Sequence, residues 1–150
     1  MTRQRRIHDK PEVYRRAVAE GELHLSKPGR TAVRARRTEK GDPLLAGELA
    51  GLLALKKTPE LLPHCHPIPI TGSAVELSAT PRGVRARAEV EAIWKTGVEM
   101  EALVAVSVAL LTVWDMVKYL EKNARGGYPA TRITGIRVVT KEKQRWESPP

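Results

Sequence analysis

The 150-residue sequence holds a single cysteine, Cys65, so no internal disulfide is available and its core must hold the fold. One lone thiol suits a reducing cytoplasm. Phenylalanine is absent, and three Trp and three Tyr are the only large aromatics. So few rings disfavour capture of single-stranded nucleic acid by base stacking. Asparagine occurs once (Asn123) and glutamine twice (Gln4, Gln144), while charged residues are plentiful, a usage that resembles thermophile proteins. Long hydrophobic runs are also missing. The apolar stretch 102–113 is too short for a membrane span and follows Glu99 and Glu101. Arg3, Arg5 and Arg6 precede a polar segment, where a secretory signal would carry an apolar one. These absences predict a cytoplasmic protein with no membrane partner.

What is present begins with size and charge. The length fits one domain spanning 1–150, with 1–9 and 142–150 expected as flexible tails. A net charge of +9 points to an anionic partner. Between Tyr14 and Ser26, Ala17, Ala19, Gly21, Leu23 and Leu25 fall at every second position, the period of a strand. Lys27-Pro28-Gly29-Arg30 reads as a turn. Asp42-Pro43 is a helix start, and the leucine-rich helix that follows is expected to stop near Lys57, ahead of Pro59. Lys40-Gly41 forms a short loop at that helix start, a position that suits phosphate. Val75, Leu77 and Ala79, then Val84, Ala86, Ala88, Val90 and Ala92, alternate with polar residues across Thr80-Pro81-Arg82-Gly83. That is a hairpin with one buried face. A last strand is expected over Thr131–Thr140. An antiparallel pair together with helices predicts an α+β fold, a sheet with helices packed on one face.

One long helix dominates the C-terminal half. Lys95-Thr96-Gly97 is a turn, Glu99 and Glu101 fall in the first helical turn, and the pattern runs to Lys122. Glu101, Val104, Val108, Leu111, Asp115 and Lys118 share one broad sector, apolar in the middle and charged at both ends. Asp115 and Lys118 are read either as a surface i,i+3 pair or as part of a polar pocket. Glu101 and Asp115 lie about 21 Å apart along the axis, so one helix cannot bring both to a single small reacting centre. Either the ligand is long or a second subunit completes the site.

His64-Cys65-His66 lies between prolines in a segment expected to be extended, with His64 and His66 pointing one way and Cys65 the other. Zinc is the sharp reading of this triplet, but adjacent ligands without a second cluster are poor metal spacing. Arg34, Arg36 and Arg37 with the N-terminal arginines offer a competing reading, a basic nucleic-acid-binding module. It leaves Glu99, Glu101 and His66 without a role.

Leu62-Pro63-His64-Cys65-His66-Pro67, Lys95-Thr96-Gly97-Val98-Glu99-Met100-Glu101-Ala102-Leu103 and Asp115-Met116-Val117-Lys118 stand in one order and spacing. Together with Lys40-Gly41-Asp42 they resemble the molybdenum cofactor biosynthesis protein C (MoaC) family, the cyclic pyranopterin monophosphate synthases, over roughly residues 10–141. The resemblance implies a ferredoxin-like α+β fold and a homohexamer, a trimer of dimers with the active site between subunits. It implies conversion of the nucleotide 3′,8-cyclo-7,8-dihydro-GTP to cyclic pyranopterin monophosphate with release of pyrophosphate. By the same resemblance Lys118, Asp115 and Lys40 are catalytic. His64, Cys65, His66, Glu99, Met100, Glu101, Arg15 and Lys56 bind substrate. No cofactor is required, although Mg²⁺ is compatible with a triphosphate. Lys40 and Lys118 are expected to come from separate chains to one partly dry pocket and there to lower each other's pKa, with Asp115 pulling the other way. The chain departs from the family at Gln4-Arg5-Arg6-Ile7-His8 and at Lys141-Glu142-Lys143-Gln144-Arg145-Trp146.

Overall fold

A computed structural model describes residues 1–147 and 149–150. Strands β1 (Val13–His24), β2 (Ile70–Ala79), β3 (Gly83–Trp94) and β4 (Arg132–Gln144) form one antiparallel sheet in the order β2-β3-β1-β4. Helices α1 (Lys27–Ala35), α2 (Pro43–Leu55) and short α3 (Thr58–Leu61) link β1 to β2, and α4 (Glu99–Glu121) links β3 to β4. This is the α+β ferredoxin-like arrangement.

The alternation seen in the sequence becomes two faces. Ala17, Ala19, Leu23, Val84, Ala86, Ala88, Val90 and Ala92 are buried under the helices. On the other face charged residues pair across strands: Arg16 with Glu89 at 2.7 Å and Glu142 at 3.2 Å, and Arg85 with Glu20. Small side chains let α4 settle close to the sheet, with Ala102, Ala105, Val106, Ala109, Leu110 and Val113 fully buried. At Gly21 an added Cβ would lie 2.9 Å from Val106 Cγ1 and 3.2 Å from Leu110 Cδ1. Helix α2 closes on α4 in the same way, through Gly47 and Gly51, whose added Cβ atoms would stand 3.1 Å and 3.0 Å from the carbonyls of Ala109 and Ala105. The opposite stripe of α2, Leu45, Leu49 and Leu53, is exposed, as is Leu111 on α4.

Several local expectations are corrected. Lys27-Pro28-Gly29-Arg30 opens helix α1 instead of forming a turn, because Pro28 occupies its first turn and Val33 buries its inner face. Helix α2 ends at Leu55, and Pro59 then starts α3 where it was expected only to stop a helix. Strand β4 runs past Thr140 to Gln144, with Lys141, Glu142, Lys143 and Gln144 opposite Ala17, Arg16, Arg15 and Tyr14. Pairing with β1 orders that segment despite its charge. Finally, α4 spans 23 residues with a best-window mean hydropathy of 1.8, which meets the length and composition of a membrane span. More than half of that window, 56%, is buried inside the protein, so the core accounts for its apolar character.

Close packing at Gly21 gives a direct test. Gly21→Val should destabilise the fold by about 1–3 kcal/mol through overpacking against Val106 and Leu110, read by denaturant unfolding at fixed protein concentration.

Candidate active site

Two clusters form at opposite ends of α4. At its C-terminal end the chain leaves α1 through Arg36, whose φ of 55° turns the backbone. Arg36 Nε donates to Asp42 at 2.8 Å, and Asp42 caps α2 by accepting from the N–H groups of Leu44 and Leu45 at 3.0 and 3.2 Å. Thr38 and Gly41 exchange backbone hydrogen bonds, and Gly41 takes φ +110°, which favours glycine. This tight loop presents Lys40. Its Nζ lies 2.7 Å from Asp115 Oδ2, while Lys118 Nζ lies 3.0 Å from Asp115 Oδ1. One carboxylate therefore gathers both lysines within a single chain, which corrects the expectation that they come from separate chains: the tight loop after α1 brings Lys40 back to α4 of its own chain.

The electrostatics of this cluster differ from expectation. The hydrogen bond from Lys40, followed by that from Lys118, holds the Asp115 carboxyl below its ordinary range. The Lys118 amine is pushed up, chiefly by its hydrogen bond to Asp115. The expected lowering of Lys118 fails here because the cluster is open to water and the Asp115 carboxylate sits against its amine.

At the N-terminal end of α4, His64, Cys65, His66, Ile68, Thr96, Gly97, Glu99, Met100 and Glu101 line a cleft of about 120 Å³. The Cys65 N–H bonds to the Leu62 carbonyl at 3.0 Å, closing a turn where the chain was expected to be extended. That turn lets Cys65 and both histidines line the same hollow. Glu101 is 3% exposed and its Oε2 has no hydrogen-bond partner among the described residues. Burial pushes its carboxyl up to about 7; its own backbone N–H opposes this and neighbouring Glu99 adds to it. Glu99 accepts from Lys141 Nζ at 3.1 Å through one oxygen, while the other is buried without a partner. Burial, then the charges of Glu101 and Glu99, raise the Cys65 thiol.

Arg15 is buried at the sheet end beside this cleft, where Nη2 donates to the Lys95 carbonyl at 3.4 Å and Nε has no partner. Lys56 stands apart. It lines a separate hollow of about 440 Å³ with Ile70, Thr71, Gly72 and Ser73, joined to the first only through Ile68. Among the described residues, no three His, Cys, Asp or Glu side chains converge to hold a metal ion. Sequence reasoning missed Lys141, Thr96, Gly97 and Ile68 as neighbours of the cleft. Lys141 was hidden, because two register shifts break the alternation of β4 before Lys141 and Lys143 come to lie opposite buried Ala17 and Arg15.

A carboxyl poised near neutrality at one end and a lysine–carboxylate–lysine cluster at the other define an α+β protein equipped for proton transfer. The chain belongs to the MoaC family, whose sequence pattern matches residues 5–144. A relative in Thermococcus kodakarensis, named probable cyclic pyranopterin monophosphate synthase, is 52% identical over 137 residues, 91% of this chain and 88% of its own. Proteins of the same name in Pyrococcus furiosus (50% identical, 92% of this chain, 88% of its own) and Sulfurisphaera tokodaii (50%, 91% and 91%) are similar in extent. These heat-loving sources agree with the scarcity of Asn and Gln.

The Glu101 shift carries a definite sign. Its folded pKa of about 7 lies above the unfolded value, so the native state binds the extra proton. The Glu101 contribution to stability should be fullest below roughly pH 4.3 and fall by up to roughly 3 kcal/mol as pH rises to 7. Glu101→Gln should flatten that decline, read by denaturant unfolding across pH; an unchanged slope counts against the buried carboxyl.

Proposed function

We propose that this chain is a cyclic pyranopterin monophosphate synthase of molybdenum cofactor biosynthesis, converting 3′,8-cyclo-7,8-dihydro-GTP to cyclic pyranopterin monophosphate and pyrophosphate. The observation that carries the reading is the meeting of Lys40 and Lys118 on Asp115 in a chain of the MoaC family. Rebuilding the base needs protons delivered and removed at fixed positions. In this reading Lys118 and Lys40 deliver protons and positive charge, and Asp115 orients them. Displacement of water by the nucleotide would lower the Lys118 amine from its raised value. Glu101 exchanges a proton near pH 7. His64, His66, Cys65, Glu99 and Met100 hold the base, while Arg15 and Lys56 contribute positive charge. No resident cofactor is assigned. Protein cations can neutralise the departing pyrophosphate, and Mg²⁺ carried on the triphosphate would add to that. The lone, half-buried Cys65 thiol suits a cytoplasmic setting.

The two clusters are separated by about 21 Å of helix. This spacing supports a homohexamer, a trimer of dimers, in which one chain's lysine cluster faces the partner's histidine–glutamate cleft. The exposed leucines 45, 49, 53 and 111 support it too, since they offer apolar surface on α2 and α4.

Two measurements test this. Lys118→Ala should lower kcat by about 10²–10⁴-fold with circular dichroism and assembly unchanged; near wild-type turnover would sink the site assignment. Mixing Lys118→Ala with Glu101→Gln subunits should restore about a quarter of wild-type activity, because half the dimers are mixed and each carries one intact site. No recovery after confirmed subunit exchange would place the site within one chain.

A further inference from the structure

We propose that the N-terminal arm is a strap that binds the di- or triphosphate group of a ligand at the rim of the histidine–glutamate cleft. The proposal rests on the synthase reading for its substrate and adds the part of the chain that grips the leaving group. The arm is docked at both ends. Gln4 Nε2 donates to the Cys65 carbonyl at 2.9 Å, and Lys95 Nζ donates to the His8 carbonyl at 3.1 Å. Cys65 lines the cleft, and Lys95 precedes its Thr96-Gly97 wall. Arg5 and Arg6 between these anchors, with Arg3 just ahead of the first, surround a hollow of about 490 Å³.

Cations converge on this region from the arm and from two strands. Lys10 follows the arm, Arg15 lies on β1, and Lys141 and Lys143 lie on β4, with Lys143 directly opposite Arg15. Burial first, then the charges of Arg15, Arg5, Lys143 and Lys141, push the Lys10 amine down. Among the described residues only Lys141 of this set pairs with a carboxylate, that of Glu99. Arg3, Arg5 and Arg6 have no acidic partner there either. Uncompensated positive charge around a hollow attracts anions. Guanidinium forks grip adjacent phosphate oxygens in pairs, so the fitting ligand is pyrophosphate or a nucleotide polyphosphate.

The test is calorimetric titration of inorganic pyrophosphate into the full assembled protein at two salt concentrations. It compares wild type, the triple variant Arg3→Ala, Arg5→Ala, Arg6→Ala, and a charge-matched control, Arg34→Ala, Arg125→Ala, Arg132→Ala. The arm variant should bind pyrophosphate about tenfold more weakly or worse and show a shallower salt dependence, with the control within about twofold of wild type. With the cyclised GTP substrate its KM should rise similarly while kcat stays within about threefold, as for a contact kept throughout the reaction. Unchanged pyrophosphate affinity, or equal losses in the control, overturns the strap. Wild-type turnover alongside an unaffected arm variant defeats the strap alone. Arm-dependent pyrophosphate binding without wild-type turnover defeats the synthase reading and leaves the strap standing.

Discussion

The close seating of α4 on the small-residue face of the sheet is the contact on which the rest depends. Alanines at 17, 19, 86, 88 and 92 meet alanines at 102, 105 and 109 with valine and leucine filling the gaps. Interiors packed this tightly transmit position with little slack. Helix α4 therefore acts as a rigid rod, and both chemical clusters hang from its ends. Gly47 and Gly51 bring α2 against the same rod, which fixes where the Lys40 loop arrives.

The two ends are built on opposite electrostatic terms. Glu101 is raised by burial, while Asp115 is lowered by its lysines in an open setting. Burial and ion pairing thus push the two carboxyls apart, one up to about 7 and the other below its ordinary range. The raised Lys118 follows chiefly from its hydrogen bond to Asp115.

A third acid on α4, Glu121, shows how the Lys40 loop is anchored from behind. Ser26 begins α1 without a side-chain cap of its own. Buried Glu121 accepts the Ser26 N–H at 2.7 Å, the Ser26 hydroxyl, and the Thr131 hydroxyl at 2.9 Å. Gly29 leaves room for it, since an added Cβ there would come 2.6 Å from Glu121 Oε2. The carboxylate thus sits at the positive end of α1 and ties α1 to α4. The Arg36–Asp42 pair then passes that restraint across the loop to α2.

Local periodicity in the sequence settled most of the elements. Alternation at Ala17–Leu23 and Val84–Ala92 fixed the strands and their buried face, Asp42-Pro43 fixed the start of α2, and the long apolar run fixed α4. The resemblance to the MoaC family named the residues of both clusters, and helix geometry gave the separation of Glu101 from Asp115. Helix α1 was hidden, because a Pro-Gly pair resembles a turn until Glu121, nearly a hundred residues away, is seen to cap it. The end of β4 was hidden as well, since its charges look like a frayed tail until β1 pairs with them. Only the tertiary structure decided that Lys40 reaches Asp115 in its own chain, that Glu101 loses its water, and that the N-terminal arginines lie beside the cleft. Each of those depends on what distant segments place next to a side chain, and short-range pattern carries no record of that neighbourhood.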